Sequence, residues 1–439
     1  MEEPGEEALL RSVFQPSRRI YLLTAILLAI IAWAIVAYVY QMRQGLGVTG
    51  LNRPVFWGLY LINFVFFIGI SHAGTLVSAI LRITGAEWRR PITRAAEAIT
   101  VFSLMLGVGS IMIDLGRIDR IWALIRYPRL QSPLLWDVSS VSVYLTCSII
   151  YLYLPLIPDV ALLRDRTAGA RGARHWLYSK LALGWSGSQR QWHRLERAIS
   201  IMAVLIIPVA VSVHTVVSWI FAMTLQPTWH STIFGPYFVV GAIFSGIATL
   251  IIVMAIIRKA YGLEAYLKPL HFNNLGLLLL TMCLFWFYFT FAEYLTEFYG
   301  AEPAPLSVLM SKLQGEFSPA FFTMTFFCFV VPFVILAFPR TRTIAGTVVA
   351  SVLIDIGMWL ERYTIVVPAL TRPRLPYEFG VYIPTLVEWS ITLGCLAAFV
   401  LMYVIFARIF PIISIWEVQE EDPSTAPVTE EQAAVETAT

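Results

Sequence analysis

The chain has 439 residues, 58% of them hydrophobic, 14% aromatic and 13% charged, where an average soluble protein has about 25% charged residues. With a mean hydropathy of +0.73, these values exclude a soluble globular enzyme, a disordered chain and a nucleic-acid-binding protein, and they leave an integral protein of the lipid bilayer. Four cysteines with no CxxC or CxxCH pair, and a net charge of only +3, exclude a disulfide scaffold, a cysteine-ligated zinc ribbon, a chain-borne iron–sulfur cluster and covalently attached haem.

Residues 1–20 carry Glu2, Glu3, Glu6 and Glu7 and no small-residue cleavage site, so they read as a cytoplasmic N-terminal segment with no evident signal peptide. A membrane-crossing helix needs about 20 predominantly apolar residues. Ten stretches follow, at about 21–40, 55–81, 95–116, 134–157, 198–225, 233–257, 275–297, 319–338, 344–360 and 386–407, and they define a transmembrane domain over 21–408. The ninth is short, but at 1.5 Å per residue it still covers about 25 Å. Runs of this length without strict apolar–polar alternation are not strands of a membrane barrel. The expected fold is therefore all-α, with ten transmembrane helices. The tail, 409–439, has seven acidic and no basic residues from 417 onward and reads as disordered and cytoplasmic.

An even number of spans places both termini on one side, and 21 of the 31 Lys and Arg residues fall on that side. By the positive-inside rule it is the cytoplasm. The outer loop 117–137 runs against the rule, with Arg117, Arg120, Arg126 and Arg129 followed by Trp136 and Asp137. Its arginines read either as contacts to a partner or as a solvated charge run. The loops are short, so chemistry belongs inside the bundle or on another chain.

Ionisable groups at mid-membrane cost about 2.5–3.5 kcal/mol on insertion scales and mark sites, pathways or structural pairs. The candidates are His72, Glu97, Asp114, Asp137, His214, Glu293, Asp355 and Glu388. Counted along straight helices, the acids gather toward the outer half, Asp355 and Glu388 in the outer thirds of their spans. His72 and His214 lie deeper, with about 10 Å between their depths. Such an arrangement suits a lipophilic carrier that exchanges protons, because a quinol hydroxyl must hand its proton to a hydrogen-bonded imidazole or carboxylate as electrons leave. Each group alone reads equally as a buried polar residue bonded to a neighbouring helix. A bis-histidine haem is disfavoured by the difference in depth, and a secondary transporter by the lack of convincing internal repeats. With no redox ligand set of its own, a quinone-handling chain needs a partner to carry the electrons.

The residues resemble a known family. Ser71-His72-Ala73-Gly74-Thr75, Arg94-Ala95-Ala96-Glu97-Ala98, Leu115-Gly116-Arg117, Ser132-Pro133-Leu134-Leu135-Trp136-Asp137, Val211-Ser212-Val213-His214, Trp229-His230-Ser231-Thr232-Ile233-Phe234 and Gly357-Met358-Trp359-Leu360-Glu361-Arg362 occur in the order found in the NrfD/PsrC membrane subunits of quinone-linked oxidoreductases, most closely those of alternative complex III. The resemblance implies two four-helix bundles plus an additional helix pair, with no cofactor held by the chain. It also implies menaquinone or ubiquinone as substrate, bound in the first bundle near His72, Asp114, Arg117, Trp136, Asp137 and His214, with His72, Asp137 and Asp114 handling the chemistry. The partners it implies are a periplasmic iron–sulfur subunit, multihaem cytochrome c subunits and a second NrfD-like membrane subunit. Glu97, Glu293 and Asp355 would carry protons. A menaquinone-reducing complex, and a structural subunit without a productive quinone site, are the alternatives.

Overall fold

The computed structural model describes residues 6–14, 18–169, 172–372 and 380–419. Among these residues helix is the one type of regular secondary structure, with ten helices long and apolar enough to cross a membrane. A short α1 (Glu6–Phe14) precedes the spans α2 (Arg18–Gln44), α3 (Leu59–Ile83), α4 (Thr93–Asp114), α6 (Pro133–Tyr153), α9 (Gln189–Ala222), α10 (Phe234–Tyr261), α11 (Pro269–Gly300), α15 (Ile344–Thr371) and α16 (Leu386–Ile409). The remaining span is composite, formed by α13 (Ser318–Thr325), a π-helical turn at Phe326–Val330 and α14 (Val331–Ala337). Short helices α5 (Trp122–Arg126), α7 (Leu156–Arg166), α8 (Ala173–Leu181), α12 (Pro303–Leu313) and α17 (Ile415–Gln419) lie at the two ends of the bundle. We call the end that carries α1, α7 and α17 the proximal face, and the end that carries α5 and α12 the distal face.

Proline sets several local features. Pro155 separates α6 from α7, because it has no N–H to continue the helical ladder, although Leu154 before it keeps helical angles. In the composite span Pro332 has no N–H for the carbonyl four residues earlier, Cys328. That carbonyl instead accepts from Cys283 Sγ of α11 at 3.3 Å, so the π turn is tied to a neighbouring helix.

Helix α3 is the buried axis. It packs against α4, α9, α10 and α15, and from Leu59 to Ala79 its described side chains, apolar and polar alike, are buried. Small residues allow the close approach. A Cβ on Gly74 of α3 would collide with the Ala96 carbonyl of α4, and Thr100 Oγ1 of α4 donates to the Ser71 carbonyl at 2.8 Å. The first span, α2, instead lies at the edge and rests mainly on α16. Gly394 of α16 faces Ala34 so closely that a Cβ there would strike the Ala34 methyl, and Trp33 Nε1 donates to Ser390 Oγ at 3.0 Å. Gly394→Val is therefore expected to lower stability by about 1–3 kcal/mol through overpacking, read as an earlier thermal transition in detergent. An unchanged transition would show that α2 is not seated on α16.

Three differences from the sequence reading have physical causes. The ninth span does not stop at Leu360 but continues to Thr371, because Glu361 and Arg362 neutralise each other inside the bundle instead of ending the apolar run. Asp355 consequently sits near mid-helix and not in the outer third. Residues 409–419, expected to begin a disordered tail, pack with Ile412, Ile413 and Ile415 buried; 420–439 lie outside the described residues.

Candidate functional site

The centre of the bundle holds two imidazoles. His72 of α3 and His214 of α9 touch, with ring centroids 4.1 Å apart and planes at 60°, and both are inaccessible. The expected 10 Å offset in depth does not exist. Counting from the end of an apolar run assumes that helices are upright and start in one plane, whereas α9 has 34 residues and begins at Gln189, nine residues before the apolar run. The edge-to-face contact leaves no gap for a porphyrin between the rings.

His72 Nε2 lies 2.6 Å from the Ala210 carbonyl and Nδ1 2.9 Å from the Ile68 carbonyl. A neutral imidazole carries one N–H, so only the doubly protonated ring meets both carbonyls with hydrogen. Neither nitrogen of His214 has a hydrogen-bond partner among the described residues. A buried acceptor without a partner beside a ring held by two carbonyls is an arrangement able to take up and pass a proton.

On the distal side of this pair lies an ion pair on α15. Arg362 Nη1 is 2.7 Å from Glu361 Oε2, with both side chains at most 1% exposed. The guanidinium stacks on Phe238 at 5.1 Å, and Trp286 Nε1 donates to Glu361 Oε1 at 2.6 Å. Gly241 makes room for the arginine, since a Cβ there would come within 3.0 Å of Arg362 Nη2. Tyr237 lies in the electrostatic neighbourhood of Glu361 and lines a distal cavity with Glu293, Tyr294, Glu297 and Lys312. Lys312 Nζ lies 3.5 Å from Tyr294 OH and 5.0 Å above its ring. Burial pushes its ammonium below the usual lysine range, against the pull of Glu297 and Glu293. Ser231 Oγ donates to Glu293 Oε2 at 2.6 Å.

Proximal to the histidines, the Tyr144 ring is 5.2 Å from His72 and its hydroxyl donates to the Ser71 carbonyl at 3.0 Å. Thr75 and Thr100 follow at 3.0 Å. One turn further, Ser78 Oγ donates to Glu97 Oε1 at 2.7 Å and lies 3.2 Å from Tyr151 OH. The C-terminal segment closes this end. Glu417 of α17 meets Arg82 at 3.1 Å and Arg89 at 3.5 Å. Arg94 and Asp159 form a pair at most 2% exposed, and Asp159 accepts the backbone N–H groups of Ile415 and Trp416. Burial raises the Asp159 carboxyl above its ordinary range, and Arg94 opposes the rise.

The expected site residues divide into separate groups. His72 and His214 come together. Asp114 ends α4 half-buried, with one carboxylate oxygen unpartnered, in the electrostatic neighbourhood of Glu388. Asp137 is 4% exposed near the start of α6, likewise with one oxygen unpartnered. Arg117 is on the surface and paired with Asp119 at 2.8 Å, both about 60% exposed; such pairs add little to stability. Arg117 also lines a distal cleft of about 430 Å³ with Arg120, Leu124, Arg129 and Leu135, while Trp136 Nε1 donates to the Leu130 carbonyl at 2.5 Å. Asp355 accepts from Thr249 at 2.9 Å. The sequence reading missed Glu361, Arg362, Glu297, Lys312 and Glu417 as parts of the polar interior. The available signal was the Glu-Arg dipeptide followed at once by a further apolar run, Ile365 to Leu370.

The family model described as "Polysulphide reductase, NrfD" matches residues 47–374. The chain is 27% identical over 398 residues to a protein of Halobacterium salinarum named as a dimethyl sulfoxide reductase membrane subunit, covering 86% of this chain and 88% of that protein. It is 23% identical over 433 residues to a selenate reductase subunit of Mesobacillus selenatarsenatis, covering 90% and 95%. It is 24% identical over 426 residues to the Hdr-like menaquinol oxidoreductase integral membrane subunit of Archaeoglobus fulgidus, covering 91% and 96%.

Proposed function

The chain belongs to the polysulphide reductase NrfD family, and on that premise we propose that it is the membrane-embedded, quinone-handling subunit of a multi-subunit oxidoreductase. It exchanges quinol electrons with partner chains and manages the associated protons. The observation that carries this reading is the series of polar, mostly buried groups spaced through the bundle: Glu293, Glu297 and Lys312 at the distal face, then Tyr237 and the Glu361–Arg362 pair, then His214 and His72, and Ser78 with Glu97 toward the proximal face. A membrane-embedded bundle keeps such groups chiefly for a structural pair or for charge movement, and His214, Glu293 and Glu297 present buried atoms without hydrogen-bond partners among the described residues.

In this reading menaquinol oxidation is the favoured direction, as the name of the Archaeoglobus relative suggests. The electrons pass to a periplasmic iron–sulfur subunit with multihaem cytochrome c chains, docked on the distal loop around Arg117, Arg120 and Trp136. The membrane part is completed by a second NrfD-like chain, as in alternative complex III. The membrane is the bacterial cytoplasmic membrane, with the proximal face and both termini in the cytoplasm. His72, Asp114, Asp137 and His214 handle the quinol and its protons, and Asp355 with Thr249 forms a side branch of the proton route.

The test is quinol-dependent turnover in the assembled complex. His72→Leu is expected to reduce it on the order of 10²-fold, the usual contribution of a positioned proton acceptor, with Asp137→Asn producing a smaller loss. Full activity in both variants would remove these residues from the chemistry. The second reading, an anchor without a productive quinone site, is favoured by the complete inaccessibility of His72 and His214; it predicts unchanged turnover in both variants but failed assembly when the Arg117 loop is reversed in charge.

A further inference from the structure

The seam between α9 and α10 forms a groove of about 590 Å³, within the range of pockets that enclose a small ligand. Its walls are Val211, Thr215 and Trp219 from α9, and Gly235, Val239 and Val240 from α10. The spacing of four residues puts Val211, Thr215 and Trp219 on one face of α9, and Gly235 and Val239 on one face of α10. Both helices are membrane spans, and Val211 and Trp219 are 38% and 50% exposed, so the groove opens to lipid. Gly235 widens it by having no side chain.

At its distal end the groove meets the polar interior. Ser231 lines this groove and also the adjoining distal cavity that contains Glu293 and Glu297. Its hydroxyl is committed to Glu293 Oε2 at 2.6 Å. Glu293 is 5% exposed, and its other oxygen, Oε1, has no partner. An apolar slot that ends at a buried, partly unsatisfied hydrogen-bonding pair fits an amphiphile with a long hydrocarbon tail and a small neutral head bearing hydroxyl groups. The carboxylates of Glu293 and Glu297 disfavour a phosphate-bearing lipid head, while a hydroxyl can donate to Glu293 Oε1.

We propose that this seam binds an isoprenoid quinol, with its tail along Val211–Trp219 and Gly235–Val240 and its head at Ser231 and Glu293. The proposal rests on the quinone-handling reading above and gives the carrier a binding place between α9 and α10, separate from the Asp114 and Asp137 region. It also connects the carrier to the buried route through Tyr237 and Glu361.

The experiment uses the full chain in lipid nanodiscs with a photoreactive azido-naphthoquinone carrying an isoprenoid tail, followed by peptide mapping. Label is expected in 211–219 and 235–240, displaced by excess unlabelled menaquinol analogue and not by phosphatidylglycerol. Gly235→Leu and Val239→Trp, which fill the groove, are expected to reduce that label at least tenfold, and Glu293→Gln to weaken it severalfold with the helical content unchanged. Saturable label confined to peptides around Asp114 and Asp137 would overturn the seam site and leave the quinone reading standing. No saturable label anywhere would overturn both. Displacement by phosphatidylglycerol would make the groove a lipid site and sink the proposal. The wild-type map decides among these outcomes even where a groove-filling variant fails to fold.

Discussion

Arg362→Leu is expected to lower the stability of the bundle by about 3–5 kcal/mol, the usual result of leaving one member of a buried ion pair without its counter-charge. Glu361 is inaccessible, and its remaining bond to Trp286 Nε1 at 2.6 Å does not replace a full positive charge. The same substitution removes the cation that lies over Phe238 and faces the His72–His214 pair, so turnover in the assembled complex should fall with it. A double variant, Glu361→Gln with Arg362→Met, separates the two effects. It contains no uncompensated charge, and replacing both partners of a buried pair is often close to neutral for stability. The expected result is therefore recovery of the thermal transition without recovery of turnover. If Arg362→Leu alone leaves the transition in place, the pair is not held dry inside the protein. If the double variant regains full turnover, the pair has no part in proton handling.

Arg94→Met is the second large effect. Arg94 is 1% exposed, and one guanidinium holds Asp159, the carbonyls of Pro155, Pro411 and Ile413, and Ser414 Oγ. It thus joins α4 to α7 and both to the C-terminal strap. Without it Asp159 keeps only the N–H groups of Ile415 and Trp416, and a loss of about 3–5 kcal/mol is again expected. The strap should also become accessible to protease near Ile412, while a cut there is not expected in the parent chain. Asp159→Asn added to Arg94→Met should return part of the stability, because the uncompensated carboxylate is gone; pairs in direct contact are non-additive in this way. Resistance of the strap to protease in Arg94→Met would mean that Glu417, through Arg82 and Arg89, is sufficient to hold it.

The sequence reading and the structure part company at charged residues. Seven of the spans lie within four residues of their expected ends, because hydrophobic length is a local property and the hydrocarbon thickness is fixed. Charge was used as a stop signal, which is correct at Arg43 and Arg82 and wrong at Glu361–Arg362. Nothing local distinguishes a charge that leaves the membrane from one neutralised within it; Phe238, Gly241 and Trp286, which accommodate the pair, come from α10 and α11. The acidic tail shows the same limit. Glu417 looks like one of a run of solvated acids until Arg82 and Arg89, more than 300 residues earlier, are placed around it.

Composition and apolar run length alone determined that this is a ten-span helical membrane protein, since a bilayer core gives backbone groups no water to bond and each span must satisfy itself. The order of short motifs was enough to indicate the family. Only the tertiary structure decided which polar residues share a site: that His72 meets His214, that Asp114 and Asp137 stand apart from them, and that Ser231, bonded to Glu293, ends the groove between α9 and α10. Those relations depend on the tilt and overhang of helices such as α9 and on glycines that set interhelical distance. They arise from packing between segments far apart in the chain, which no local pattern encodes.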